Sequence, residues 1–148
     1  MNDDWSKFIH VKSPKFAPLP GEDDEIVNPG TYGKALSLYI QEKLAAKGHS
    51  VPFVCAEDWG WWVELKDSPV KGGVAVYCGP ATNGGYDFAC LLGFSGAKKW
   101  SWKKFGSLDL TAYLAGLFND LLTTFQDDPE VEVVGVTEEC PVGEDVEE

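Results

Sequence analysis

Six consecutive residues, Glu57-Asp58-Trp59-Gly60-Trp61-Trp62, hold the densest chemistry in the chain. Two carboxylates precede three indoles, and Gly60 permits a bend or bulge among them. Indole faces stack on sugars and attract cations, while nearby carboxylates orient hydroxyl or amine groups. The segment therefore reads as a ligand wall, with Glu57, Asp58, Trp59, Trp61 and Trp62 as contact candidates. A carboxyl enclosed by aromatics also suits acid–base work. Its structural counterpart is a bulged corner between two strands, the tryptophans filling the core and Glu57 and Asp58 solvating the turn.

A second constellation, Lys98-Lys99-Trp100-Ser101-Trp102-Lys103-Lys104, interleaves four lysines with two tryptophans. That pattern suits contact with single-stranded nucleic acid or a membrane surface, with Lys98, Lys99, Trp100 and Trp102 as contact candidates. The competing reading is an edge strand or loop with Trp100 and Trp102 turned inward. Lys99, Ser101 and Lys103 would then face water and discourage edge-to-edge pairing. A variant docks these lysines on the chain's own acidic run or tail.

Charge weighs on both readings. The net charge is −12, from 24 acidic residues against 12 basic ones, and every basic residue is lysine. Arginine's planar fork, which grips guanine edges and phosphates in bidentate fashion, is missing. Sequence-specific DNA binding is therefore not expected, and the field repels nucleic acid and anionic lipid. A basic protein is the expected kind of partner.

Cys55, Cys78, Cys90 and Cys140 form no C-x-x-C pair, and only His10 and His49 could complete a metal set. Neither metal nor cofactor is expected. Cys55, Cys78 and Cys90 fall on predicted strands as small core residues. His49 follows a helix stop, where a cation suits the helix C-terminus. No nucleophile motif includes either histidine, so no catalytic residue is assigned. The start MNDDWSKF lacks a signal-peptide pattern, and no apolar run is long enough to cross a bilayer. The expectation is a cytoplasmic protein with reduced thiols.

A chain of 148 residues, 44% hydrophobic with six tryptophans, fits one domain with a substantial core. Residues 6–12 alternate as a short strand. Residues 13–30, with four prolines and the run Glu22–Glu25, read as a weakly ordered loop rather than a packed element. Asn28-Pro29 predicts a helix start, and the stripe Leu36, Tyr39, Ile40 and Leu44 carries that helix to about Lys47 and a stop at Gly48. Four strands follow, at 51–56, 61–67, 74–78 and 86–94, the last two joined by the turn Gly79–Gly85. Residues 109–126 repeat an i, i+3, i+4, i+7 stripe over four turns of helix. Residues 131–136 form a last strand, and 137–148 an acidic tail expected to be weakly ordered, as are the first dozen residues. The order β-α-β-β-β-β-α-β predicts an α+β fold, a single antiparallel sheet of five or six strands with two helices on one face. TATA-binding-protein-like and helix-grip shapes share much of that order.

The run EDWGWW after a helix-stop glycine resembles a signature of small uncharacterised bacterial proteins of similar length. It covers the middle third of the chain. The resemblance implies a bacterial, cytoplasmic α+β domain and carries no activity. Three functional classes follow. The first is a protein–protein interaction module (inhibitor, immunity-type or adaptor) offering an acidic surface to a basic partner. The second is a small-ligand binder with a Trp-lined pocket, which requires an apolar cavity reaching Trp59, Trp61 or Trp62. The third is an enzyme using Glu57 or Asp58. Oligomeric state leaves no mark on the sequence.

Overall fold

The computed structural model describes residues 4–66, 72–82, 85–93 and 107–142. Six strands form: β1 (Phe8–Ser13), β2 (Val54–Glu57), β3 (Gly60–Leu65), β4 (Gly72–Thr82), β5 (Gly85–Gly93) and β6 (Glu132–Thr137). Helices α1 (Lys34–Ala46) and α2 (Ser107–Gln126) complete the expected order. The strands make one antiparallel sheet in the order β2-β3-β4-β5-β1-β6. The expected meander is its β2–β5 half. The fold class is α+β.

Alternation explains which face is dry. Ile9 and Val11 of β1, Trp61, Val63 and Leu65 of β3, Val74 and Val76 of β4, and Phe88 and Cys90 of β5 all point to one side and are buried. Leu36, Ile40 and Leu44 of α1 and Leu117, Phe118, Leu121 and Phe125 of α2 join the same cluster. Both helices therefore cover one face of the sheet. His49, expected as a capping cation, bonds Asp120 of α2 at 2.8 Å and so also ties the end of α1 to its neighbour.

Two local expectations change. The first helix starts at Lys34, not at Pro29. After Asn28-Pro29 the chain turns through Gly30 at φ +83°, a left-handed conformation that cannot continue a helix. The cap comes from a distance: Glu22 Oε2 accepts from the backbone N–H of Gly33 and Lys34, each at 2.9 Å.

That contact also explains why 13–30 is packed rather than loose. Residues Pro14–Phe16 and Glu22–Asp24 form single 3-10 turns. Phe16 is 2% exposed, wedged edge-on against Tyr39 and Phe88. Glu22 is 1% exposed, and its Oε1 accepts from Leu19 N–H at 2.9 Å. Composition gives prolines and acids the look of a loop, whereas this carboxylate is consumed by three backbone donors. The tail is likewise engaged as far as Val142, which is buried. Among the described residues no helix is long and apolar enough to cross a membrane.

Candidate functional site

Strands β2 and β3 meet in a two-residue turn, because Glu57 pairs with Gly60 and leaves Asp58 and Trp59 outside the ladder. Glycine is required at 60 by space: a Cβ there would lie 2.1 Å from the Val76 carbonyl oxygen. Asn28 Nδ2 donates to the Asp58 carbonyl at 2.7 Å and fastens this turn to the segment before α1.

From Gly60 onward, strand alternation sends the tryptophans to different places. Trp61 goes into the core at 2% exposure, and its Nε1 donates to the Thr31 carbonyl at 3.1 Å. Trp62 goes to the face away from the helices, where its Nε1 donates to Glu64 at 2.7 Å. Its ring lies over Gly73, where a Cβ would come within 2.7 Å of the indole. Trp59, at the turn, stays 39% exposed and tilts against Tyr77, ring centroids 5.1 Å apart. The three indoles thus share a hexapeptide without sharing a wall.

Trp59 opens onto a cleft of about 480 Å³. Its floor comes from the outer sheet face. Phe8 of β1 and Tyr77 of β4 approach to 6.0 Å between centroids, although β5 lies between their strands. They can meet because Ala89, paired with both Tyr77 and His10, puts only a methyl group in the way. One wall is Pro29-Gly30-Thr31, held by the turn contact above. The opposite wall is the tail. Residues 138–142 leave β6 beside Phe8 and return across the sheet to β4. There Val142 rests on Gly79, where a Cβ would lie 2.8 Å from the valine's own. Cys78 and Cys140 complete the lining.

Among the described residues no charged side chain lines the cleft. Burial, with Cys140 nearby, holds the Tyr77 phenol above its ordinary pKa, so it serves as a neutral group. Burial pushes the Cys78 thiol up to about 11, against a smaller opposing effect of the Tyr32 backbone N–H. Both groups stay uncharged at neutral pH, and the cleft is an apolar, aromatic surface with weak polar points.

The carboxylates of the hexapeptide stand apart from it. Glu57 is half-buried at the end of β2 and accepts the Cys55 thiol at 3.4 Å. Burial, then this contact, raises the Cys55 pKa, which keeps it a thiol rather than a nucleophilic thiolate. Asp58 is exposed beside Trp59. Much of the acidic run Glu22–Glu25 is used internally: Glu22 caps α1, Asp23 accepts from the Tyr32 hydroxyl, and Glu25 pairs with Lys34 at 2.8 Å. Lys98, Lys99, Trp100 and Trp102 lie outside the described residues. Among the described residues no group of three or more His, Cys, Asp or Glu is placed to hold a metal ion.

Of the sequence candidates among the described residues, then, Trp59 alone lines the cleft, with Asp58 next to it in the chain. Sequence reasoning missed Phe8 and Tyr77 as partners of Trp59. A signal existed in each case: Phe8 is an aromatic at an outward position of a strand, and Tyr77 falls opposite Gly60 once Trp61 pairs with Val76. Joining them needed the β1–β5–β4 register, which is a long-range fact. No family model, curated protein or solved structure matches this chain, so the functional reading rests on the geometry of this cleft.

Proposed function

We propose that this chain is a binding protein whose Phe8–Trp59–Tyr77 cleft receives a small ligand with an apolar or aromatic body. The observation that carries the reading is the convergence of three aromatic rings on a cleft of about 480 Å³. That size falls within the range of small-molecule sites, which are mostly apolar with a few polar points. Thr31 and the Tyr77 hydroxyl supply such points. The four free cysteines support a reducing, cytoplasmic setting as part of the same proposal.

The test is a fragment screen read by tryptophan fluorescence, before and after alkylation of Cys140, the exposed thiol of the lining. Fragments that bind the native protein are expected to be displaced by the alkyl group. Absence of any hit, or hits indifferent to alkylation, contradicts the proposal.

A second reading keeps the protein as an interaction module for a basic partner. It is favoured by exposed carboxylates at Asp24, Asp58, Glu132, Glu138 and Glu139, which pair with no lysine among the described residues. Capture of one basic protein that releases as salt rises supports it. Capture that ignores salt removes it.

A further inference from the structure

The aromatic lining, the arrangement of its rings and the charge around its mouth together specify more than apolarity. Resting on the cleft proposed above, we infer that its ligand is a small organic cation with an alkylated ammonium head, of the quaternary-ammonium class. Three observations lead there.

First, the rings are not stacked. Trp59 and Tyr77 are inclined at 41°, and Phe8 and Tyr77 at 60°. At 5.1 and 6.0 Å between centroids the rings touch one another, but being inclined rather than stacked, none is covered across its whole face by the next. An aromatic face carries a negative quadrupole and attracts a cation over its centre, tryptophan most strongly. A trimethylammonium group meets such faces with methyl groups, so it loses little hydration on entry and needs no hydrogen-bond acceptor.

Second, the lining matches that requirement in what it lacks. Among the described residues it holds no lysine or histidine to repel a cation and no carboxylate to demand an N–H donor. A primary ammonium would leave its three donors poorly served, at the cost that accompanies any buried unpaired charge.

Third, the rim is acidic. Asp58 precedes Trp59, and Glu138 and Glu139 precede Cys140, all three exposed. Lys7, next to Phe8, is the cation adjacent in the chain to a lining residue. Counted by the same adjacency among the described residues, two carboxylates (Asp58 and Glu139) stand against one ammonium, with Glu138 one residue further, and on a chain of net charge −12 they favour cations at the mouth. A neutral apolar guest gains nothing from that field.

The test compares choline with 3,3-dimethylbutan-1-ol, its uncharged isostere, by tryptophan fluorescence titration. A blocked trimethyl-lysine amide is the second arm. Cation–π attraction predicts that choline binds about three- to thirtyfold more tightly than the isostere. Trp59→Leu keeps an apolar lining but removes the indole face, and is expected to erase that preference while the isostere still binds. If trimethyl-lysine binds more tightly than choline, the cation is borne by a peptide; the reverse order assigns a free small molecule, and either order supports the class. Equal binding of choline and isostere overturns the inference and leaves the apolar cleft standing. No binding of either at the cleft overturns both.

Discussion

Replacing Glu22 by glutamine isolates the buried carboxylate that caps α1, just beyond the Pro29–Thr31 wall of the cleft. Its Oε1 accepts from Leu19 N–H and its Oε2 from Gly33 and Lys34 N–H, all at 2.9 Å. An amide of the same shape has one acceptor. If its oxygen stays on the α1 side, its NH₂ group confronts the Leu19 N–H, donor against donor. One buried N–H left without a partner costs about 1–3 kcal/mol. Losing the negative charge at the start of α1 adds about 0.3–1 kcal/mol. The expected loss is about 2–3 kcal/mol, which lowers the melting temperature by roughly 4–12 °C in a domain of this size. Glu22→Ala abandons all three donors and should cost more than Glu22→Gln. Equilibrium urea unfolding, followed by both tryptophan fluorescence and far-UV circular dichroism, measures both variants on one scale. A loss under about 0.5 kcal/mol for glutamine, or an alanine variant no worse than it, would refute the view of Glu22 as a shared acceptor.

Three other outcomes follow from the same structure. Trp61→Ala empties a core site and should cost about 3–5 kcal/mol, whereas Trp59→Ala should cost about 1–2 kcal/mol because its ring is already 39% exposed; urea midpoints in the opposite order contradict the assignment of inward and outward indoles. Cys140 is exposed and should react first with a disulfide reagent at pH 8, ahead of Cys78, whose thiol burial pushes up to about 11, and of buried Cys90; peptide mapping that finds Cys78 labelled as fast as Cys140 counts against this. Asp128 is held down to about 2 by Lys15, with the Glu130 backbone N–H and the Tyr39 hydroxyl assisting. Its folded value lies below the ordinary carboxyl value of 3.8, so the stability it contributes is complete above that value and is lost as pH falls from about 4 towards 2. Asp128→Asn should flatten that part of the acid-unfolding curve, and an unchanged acid slope would exclude the linkage.

Much of this fold is legible because local pattern and final packing agree. The stripe Leu36–Ile40–Leu44, the four-turn stripe of α2 and the alternation from Trp61 to Leu65 each name a buried face before any contact is known. Where reading failed, a distant group supplied what the local sequence lacks. Asn28-Pro29 has the chemistry of a helix start, but Glu22 places the real one at Gly33-Lys34. Prolines and acids at 13–30 suggest solvent, but Phe16 and Glu22 are drawn inside by Tyr39, Phe88 and the head of α1. The site divides in the same way. The hexapeptide containing Trp59 stands out by composition, yet alternation alone already forbids Trp61 and Trp62 from sharing a face. Phe8, Tyr77 and Val142 come to Trp59 from three other segments through sheet register and a returning tail, and no window of sequence contains that meeting.

The most direct test of the cleft follows the six indole N–H resonances in a two-dimensional ¹⁵N NMR spectrum during a choline titration, with Trp59→Leu, Trp61→Phe and Trp62→Phe assigning three peaks. Movement of the Trp59 indole, with those of Trp61 and Trp62 unmoved, is the result expected for a ligand seated between Phe8, Trp59 and Tyr77. Movement of Trp62 without Trp59, or no movement when the isostere is also silent, contradicts the account.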